Sequence, residues 1–470
     1  MARGQGEGRS STVPAALPEP VALLVGTLGP DRVLTDPDLV ASYRFDRSND
    51  PSAGWPLAVV RATSAEDVRR TLQWASAHRV PVVPRGAGTS LAGGSVAVQG
   101  GVVLSLERMR AITIDRLAGV AICQPGALNV EVKRAAAAEG LWYPPDPSSF
   151  EICSIGGNVA TNAGGTCCVK YGVTTDYVLG LEVVLADGRL LRLGGRTVKD
   201  VAGYDLKRLF VGSEGTLGVV TEVTLRLRPQ PPPAVTMVAS FADVADAGRA
   251  VSALTATLRP SALELMDQVS VRAVEAQLRM GLDTTAGALL LGRSDAGGDR
   301  GQRELEQMVA CCRAEGALEV FWTADEEEGE QFMAARRQAI PAVERLGRVL
   351  IEDVGVPLPK VAELVSGVAA IGEAHETTIA TIGHAGDGNF HPLVVFDPLD
   401  PQATERAQRA FGAVMDLAQQ LGGTITGEHG VGTLKRPWLP RQVGPEVLGI
   451  QRQLKQLFDP LGILNPGKAL

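Results

Sequence analysis

Residues 82–91 read VVPRGAGTSL, and two further glycines, Gly93 and Gly94, follow within the next three positions. The valines belong to a strand predicted over 80–83, after which the chain enters a glycine-rich loop. Glycine adopts positive φ and lets backbone N–H groups approach an anion closely. A pyrophosphate needs such surroundings, although tight turns in a β-rich domain would explain a single cluster equally well.

The sequence after the loop argues against two common nucleotide sites. A G-x-G-x-x-G fingerprint should follow a strand and open a long helix. Here the loop leads into more glycines and a strand predicted over 102–106, and the sequence contains no Walker A motif. A dinucleotide would therefore bind this chain through loops between strands.

Further regular elements are predicted around this loop. Ser64 is a predicted N-cap, and its helix ends near His78. Strands are predicted over 57–60 and 217–227, and a hairpin over 182–193 turns at Asp187-Gly188.

The chain length of 470 residues exceeds what one core usually organises, so two domains are expected. The proline run in 228–233 should break all regular structure and marks the boundary. Beyond it, predicted strands over 236–240, 262–266 and 288–291 alternate with helices, which favours an α+β sheet with helices on one face. The predicted division is an N-terminal arm over 1–30, domains over 31–230 and 231–425, and a segment over 426–470 that folds back onto the first domain.

Composition excludes several classes of partner. The net charge is −8 and no basic stripe with interleaved aromatics is present, so nucleic acid is not expected to bind. The six cysteines form no C-x-x-C, which favours free thiols and places any iron–sulfur cluster on a partner subunit. Residues 1–20, a predicted frayed arm, lack the apolar core of a signal peptide. A cytoplasmic protein is expected, with docking at the inner face of a membrane left open.

Three segments, in order, resemble the FAD-binding segments of the vanillyl-alcohol oxidase and p-cresol methylhydroxylase superfamily. They are VVPRGAGTSL (82–91), CSIGGNVATNAGG (153–165) and VGSEGTLG (211–218). The pattern is most similar to the family of the glycolate oxidase FAD subunit, D-lactate dehydrogenase and D-2-hydroxyglutarate dehydrogenase. The resemblance implies an α+β protein with a PCMH-type FAD-binding domain over 31–230 and a substrate-binding cap domain, with a metal site, over 231–425.

The resemblance also implies a set of cofactor-binding residues. Thr89 stands where relatives with covalent flavin carry a histidine, so non-covalent FAD is expected. The implied FAD-binding residues are Pro84, Arg85, Gly86, Ala87, Gly88, Thr89, Ser90, Gly93, Gly94, Pro145, Cys153, Ser154, Gly156, Gly157, Asn158, Ala160, Thr161, Ala163, Gly164, Gly215, Gly218, Val220 and Asn465.

Three of the five histidines lie in two dense motifs, GHAGDGNFH (383–391) and GEHG (427–430). Imidazole and carboxylate together suit a divalent ion such as Zn²⁺ or Mn²⁺. The spacing alone leaves open two hydrogen-bonded core histidines without a metal. The resemblance implies His384, His391 and Glu428 as metal ligands and His429 as the catalytic base.

A 2-hydroxy acid offers a carboxylate, which arginine binds bidentately. The resemblance assigns this role to Arg336, while its neighbour Arg337 is expected to be solvated. Relatives that use dicarboxylates carry a Lys and an Asn where this chain has Ile351 and Leu393. A small D-2-hydroxy acid, D-lactate or glycolate, is therefore the expected substrate.

The expected reaction gives the 2-oxo acid and reduced FAD, by hydride transfer to flavin N5. Two alternatives stay open: an FAD subunit active only inside a glycolate oxidase complex, and a non-redox flavoprotein similar to alkylglycerone-phosphate synthase. An acceptor protein or a quinone would take the electrons, and neither an iron–sulfur partner nor a homodimer is excluded.

Overall fold

The computed structural model describes residues 17–470. The first part of the chain forms a four-stranded sheet in which β2 and β3 lie parallel to a central β4, and β1 lies antiparallel on β2. The elements are α1 Glu19–Leu28, β1 Val33–Leu34, α2 Pro37–Ala41, β2 Ala58–Arg61, α3 Ala65–His78, β3 Val82–Arg85 and β4 Val102–Ser105.

The N-terminal arm predicted over 1–30 is wrong where it overlaps α1. Val21, Leu24 and Leu28 repeat at helical spacing and are buried in the core of this first sheet. The indole N–H of Trp74 on α3 also donates to the Pro20 carbonyl at 2.7 Å. Residues 1–16, where most of the predicted frayed arm lies, are outside the described residues.

A second sheet is antiparallel, in the order β5-β6-β10-β8-β9. The predicted helix capped by Ser64 and the hairpin at Asp187-Gly188 are both confirmed. The elements of this part are β5 Ile112–Asp115, β6 Val120–Cys123, α4 Asn129–Ala138, β7 Leu141–Trp142, α5 Ile155–Thr161, α6 Cys168–Tyr171, β8 Val178–Val184, β9 Leu190–Gly194, α7 Leu206–Phe210, β10 Val219–Arg226 and β11 Arg228–Pro229.

The proline run does not break all regular structure, because β11 pairs with β7. This ladder is only two residues long and lies outside the larger sheets, where a proline is tolerated because few N–H donors are needed.

The cap is one antiparallel sheet in the order β15-β12-β14-β13-β18-β19-β16, with β17 also paired to β19. Its elements are β12 Val235–Phe241, α8 Val244–Thr257, β13 Ala262–Asp267, α9 Gln268–Leu278, β14 Ala288–Ser294, α10 Gly298–Ala314, β15 Glu319–Thr323, α11 Glu326–Arg337, α12 Ala339–Glu344, β16 Arg348–Ile351, β17 Val354–Gly355, α13 Val361–Ala374, β18 Thr378–His384, β19 Asn389–Phe396 and α14 Pro401–Gln420.

Helices cover both faces of this sheet, so the predicted one-sided arrangement is wrong. Leu265 and Leu290 face a core built with α8, α10, α13 and α14. Their neighbours Met266 and Leu289 face a second core built with α9, α11 and α12. Apolar residues at consecutive strand positions require burial on both faces.

The last helices are α15 Leu439–Val443 and α16 Pro445–Phe458, after which the chain returns to the first sheet. The Val82 N–H donates to Ile463 O and the Asn465 N–H donates to Val82 O, both at 2.8 Å. The buried Asp459 carboxylate accepts the N–H groups of Ile463 and Leu464 and so fixes this crossing. Across residues 17–470, no helix combines the length and the apolar character needed to cross a bilayer.

Candidate active site

A cavity of about 340 Å³ lies where the glycine-rich loops meet the cap. Most residues of the three FAD segments line it, together with cap residues Arg336, Gln338 and Ile382 and the C-terminal residues Glu428 and His429. Most residues expected to bind the cofactor, the predicted substrate arginine and two of the three predicted metal ligands, His391 and Glu428, therefore line one cavity.

Four of the implied FAD-binding residues lie outside this wall. Gly93 packs against Thr433, and the Pro145 carbonyl accepts a hydrogen bond from Asn129. Gly164 lies against Glu428, beside the histidines. Asn465 supports the loops from behind: its side-chain amide donates to the carbonyls of Gly94 and Glu214, at 2.9 and 2.7 Å.

The first two glycine-rich segments are joined through one hydroxyl. Ser154 Oγ accepts the N–H groups of Ala87, in the first loop, and Gly157, in the first turn of α5, both at 3.3 Å. A Cβ on Gly86 would lie 2.2 Å from this oxygen. The glycine thus allows the two segments to approach, and both line the cavity, where the backbone of glycine-rich loops suits an anionic pyrophosphate.

Three predicted metal ligands meet beside the cavity. Glu428 Oε1 lies 3.3 Å from Nε2 of both His384 and His391. A tetrahedral ion with bonds of about 2.0–2.1 Å separates its ligand atoms by roughly 3.4 Å, so these spacings fit a divalent cation. Glu428 Oε2 is also buried without a hydrogen-bond partner among the described residues. The cluster thus has the donor set and the spacing of a metal site with open positions.

The ionisation of this cluster follows from its surroundings. Burial opposes the charge of Glu428, but the charge of His384 and hydrogen bonds from both imidazoles hold the pKa of Glu428 well below its ordinary value. Burial lowers the pKa of His429 to about 4. The ring of His429 stacks on that of His391 at 4.8 Å, and its Nε2 lies 3.9 Å from Glu428 Oε1.

Glu264 on β13, which sequence reasoning missed, contacts two of the predicted site residues. Its carboxylate lies 2.9 Å from His384 Nδ1 and 2.9 Å from the Arg336 guanidinium, and all three side chains are buried. Neither Nε nor Nη2 of Arg336 has a hydrogen-bond partner in the described part of the chain, so Glu264 meets the guanidinium as an ion pair. Glu264 therefore contacts a predicted metal ligand and the predicted substrate arginine together, as a partner that orients such groups would.

Asp353, between β16 and β17, was also missed. Its fully buried Oδ2 accepts the backbone N–H groups of Gly427, Glu428 and His429 at 2.9–3.1 Å. The only sequence signal for Glu264 and Asp353 is an acidic residue within or beside an apolar strand. The sequence around Glu264 and Asp353 does not identify the distant groups that these side chains contact.

The two positions where dicarboxylate-using relatives carry polar residues are neighbours in the cap sheet. Ile351 on β16 pairs with Leu393 on β19, and Leu393 is buried in the core against α9 and α12. Neither side chain lines the first cavity.

Two family models match the chain: an FAD binding domain over residues 56–194 and the C-terminal domain of FAD-linked oxidases over residues 230–469. The chain is 44% identical to glycolate oxidase subunit GlcD of Bacillus subtilis, over 88% of each chain. It is 36% identical to a D-lactate dehydrogenase of Archaeoglobus fulgidus, over 91% of this chain and 95% of that one.

A solved structure of p-cresol methylhydroxylase superposes with a TM-score of 0.78 at 19% identity, over 96% of each chain. This likeness shows the fold, and the two relatives show the family. The protein therefore belongs to the FAD-linked oxidase family, as an FAD-dependent oxidoreductase of the glycolate oxidase and D-lactate dehydrogenase type with a PCMH-type FAD-binding domain.

Proposed function

We propose that the protein oxidises a small D-2-hydroxy acid, D-lactate or glycolate, to the 2-oxo acid, and that His384, His391 and Glu428 hold a divalent cation, zinc or manganese, that assists substrate binding. The observation that carries this proposal is one cavity lined by most of the FAD segments, by Arg336 and by His391 and Glu428, which lie together with His384 in one cluster. A 2-hydroxy acid has the charge and the two adjacent oxygens that such a site would bind.

Each polar group then has one role. Arg336 binds the substrate carboxylate, and Glu264 holds that arginine beside His384. The cation, when bound, would supply Lewis-acid stabilisation of the oxygen that loses its proton. His429 Nε2, beside Glu428, takes the hydroxyl proton. FAD, which the glycine-rich segments would hold, would supply the acceptor for the Cα hydride.

The proposal is tested by anaerobic mixing of the purified protein with D-lactate, L-lactate, glycolate or D-2-hydroxyglutarate, followed by flavin absorbance. Bleaching by D-lactate or glycolate, lost after metal chelation and restored by Zn²⁺ or Mn²⁺, is expected. L-Lactate and D-2-hydroxyglutarate should act far more slowly. FAD-loaded protein that none of these acids bleaches would contradict the proposal.

A second candidate is an FAD-bearing subunit that turns over only with partner chains, because the relative from Bacillus subtilis is named a subunit. Such a subunit would still be bleached by its acid but would not reduce an artificial electron acceptor repeatedly. A steady-state dye-reduction assay on the lone chain separates the two.

Gly86→Ala should weaken FAD binding. The added methyl group would displace Ser154 Oγ, so Ala87 N–H and Gly157 N–H would lose their common acceptor. Two lost hydrogen bonds at about 1 kcal/mol each predict a roughly tenfold to thirtyfold higher FAD dissociation constant. Fluorescence titration of the apoprotein with FAD measures this dissociation constant. Gly449→Ala, where a methyl group meets nothing within 4 Å, is the control.

Glu264→Gln should lower metal affinity about 10- to 100-fold, the usual effect of altering a partner that orients a ligand. The amide keeps the shape of the carboxylate but removes the charge that faces His384 and Arg336. Competition with a chromogenic chelator measures the change. Glu222→Gln, at an exposed strand position, is the matched control, and equal affinities of the two variants would refute a positioning role for Glu264.

A further inference from the structure

A second cavity, of about 240 Å³, lies between the FAD domain and the cap. Residues 47–49 and Leu91 line one side, and Glu344 with residues 347–351 line the other. Arg47 and Leu91 also line the first cavity, so the two cavities adjoin. The reaction described above does not use the second one.

Two elements of the cap run from the second cavity toward the reactive groups. On α12, Ile340 and Pro341 line the first cavity, whereas the last residue, Glu344, lines the second. β16 begins at Arg348 and ends two residues before Asp353, the carboxylate that holds the Glu428–His429 segment. At about 3.3 Å per residue, Arg348 lies roughly 16 Å from Asp353 along the chain through β16. α12 and β16 thus link residues that line the second cavity with residues that line the first cavity or hold the Glu428–His429 segment.

The charges at this cavity are mainly positive, although the protein carries a net charge of −8. Arg47, Glu344 and Arg348 are its three charged lining residues. Arg47 is paired with Glu344 across the domain boundary, at 3.1 Å. Arg348 is exposed, and among residues 17–470 it makes only a long contact, 3.4 Å, with the Asn49 carbonyl. Its charge is therefore free to attract an anion at an otherwise acidic protein.

We propose that the second cavity is the access channel of the carboxylate substrate. In this channel the charge of Arg348 attracts the anionic substrate, and the charge of Glu344 weakens that attraction. This inference rests on the proposed function, because it takes a small organic anion as the substrate. Charged groups that line a passage raise the local concentration of an oppositely charged ligand and its association rate.

The test is anaerobic stopped-flow reduction of the FAD-loaded protein by the acid that bleaches it. Arg348→Gln should lower the second-order rate constant at low substrate about three- to tenfold and leave the limiting rate at saturation unchanged. The dependence of the second-order rate constant on ionic strength should also become weaker, because salt screens the attraction between Arg348 and the substrate. Glu344→Gln should act in the opposite direction and raise the second-order rate constant.

Arg345→Gln is the matched control, because Arg345 is an exposed neighbour on the same segment and lines neither cavity. It should leave both rate constants unchanged. The inference is overturned if Arg348→Gln and Arg345→Gln behave alike, or if Glu344→Gln slows the reaction. A wild-type protein that no acid bleaches would instead contradict the proposed function, so the two failures are distinguishable.

Discussion

His429→Ala should lower the limiting rate of flavin reduction by the 2-hydroxy acid about 10²–10⁴-fold, the usual contribution of a positioned general base. The imidazole lies beside Glu428 and lines the cavity that holds the FAD segments. Without it, no other side chain is assigned to take the hydroxyl proton as the hydride leaves. Anaerobic stopped-flow absorbance at saturating substrate measures the rate directly.

Two controls show whether the lower rate of flavin reduction arises from the missing base and not from a damaged site. FAD content should stay at the wild-type level, because the side chain of His429 belongs to none of the FAD segments. Bound metal is measured in the same protein, because the ring of His429 stacks on that of His391 and lies near enough to share an ion with it and Asp353. His375→Ala, at the end of α13 and outside both cavities, should reduce normally. A His429→Ala protein that reduces within twofold of wild type would remove this residue from the mechanism.

Glu428→Ala should abolish stoichiometric metal binding. Glu428 Oε1 is the atom that both imidazoles share at 3.3 Å, and without it only two nitrogen ligands remain. The loss of affinity should exceed the about 10- to 100-fold typical of an outer partner. Elemental analysis after dialysis should fall from about one metal per chain to near zero, and substrate-driven bleaching should fall with it.

Glu446→Ala, at an exposed position on α16, should retain its metal. A wild-type protein that binds no divalent metal under any loading condition would show that the cluster is a hydrogen-bonded core group. The FAD content of the Glu428→Ala protein tests whether the loss is local, because Glu428 also lies against Gly164 of the second FAD segment.

The sequence was most informative where the determinants are local. The Ser64 cap and the Asp187-Gly188 turn depend on a few adjacent residues, and both are present where predicted. By contrast, α1 was missed because its apolar stripe is short and lies near the glycine- and proline-rich start. The side of the cap sheet on which each helix packs is set by tertiary contacts, which strand alternation alone did not reveal.

The candidate site shows the same difference between local motifs, which the sequence reveals, and distant contacts, which it does not. The His384 and Glu428 motifs are conspicuous because glycines surround them, but Glu264 is 120 positions from His384 in the chain. Asp353 is 76 positions from His429. A buried carboxylate in a strand predicts that it has a partner, but the identity of that partner depends on the sheet order.

The return of residues 463–465 to β3 has a consequence for biogenesis. Until these residues are synthesised, β3 pairs only with β4, and its other edge exposes unpaired backbone groups. Asn465, which ties the Gly94 and Glu214 loops together, also emerges from the ribosome after the whole cap. A nascent FAD domain should therefore remain unable to retain its cofactor until residues 463–465 have been synthesised, so that flavin capture follows the translation of the cap.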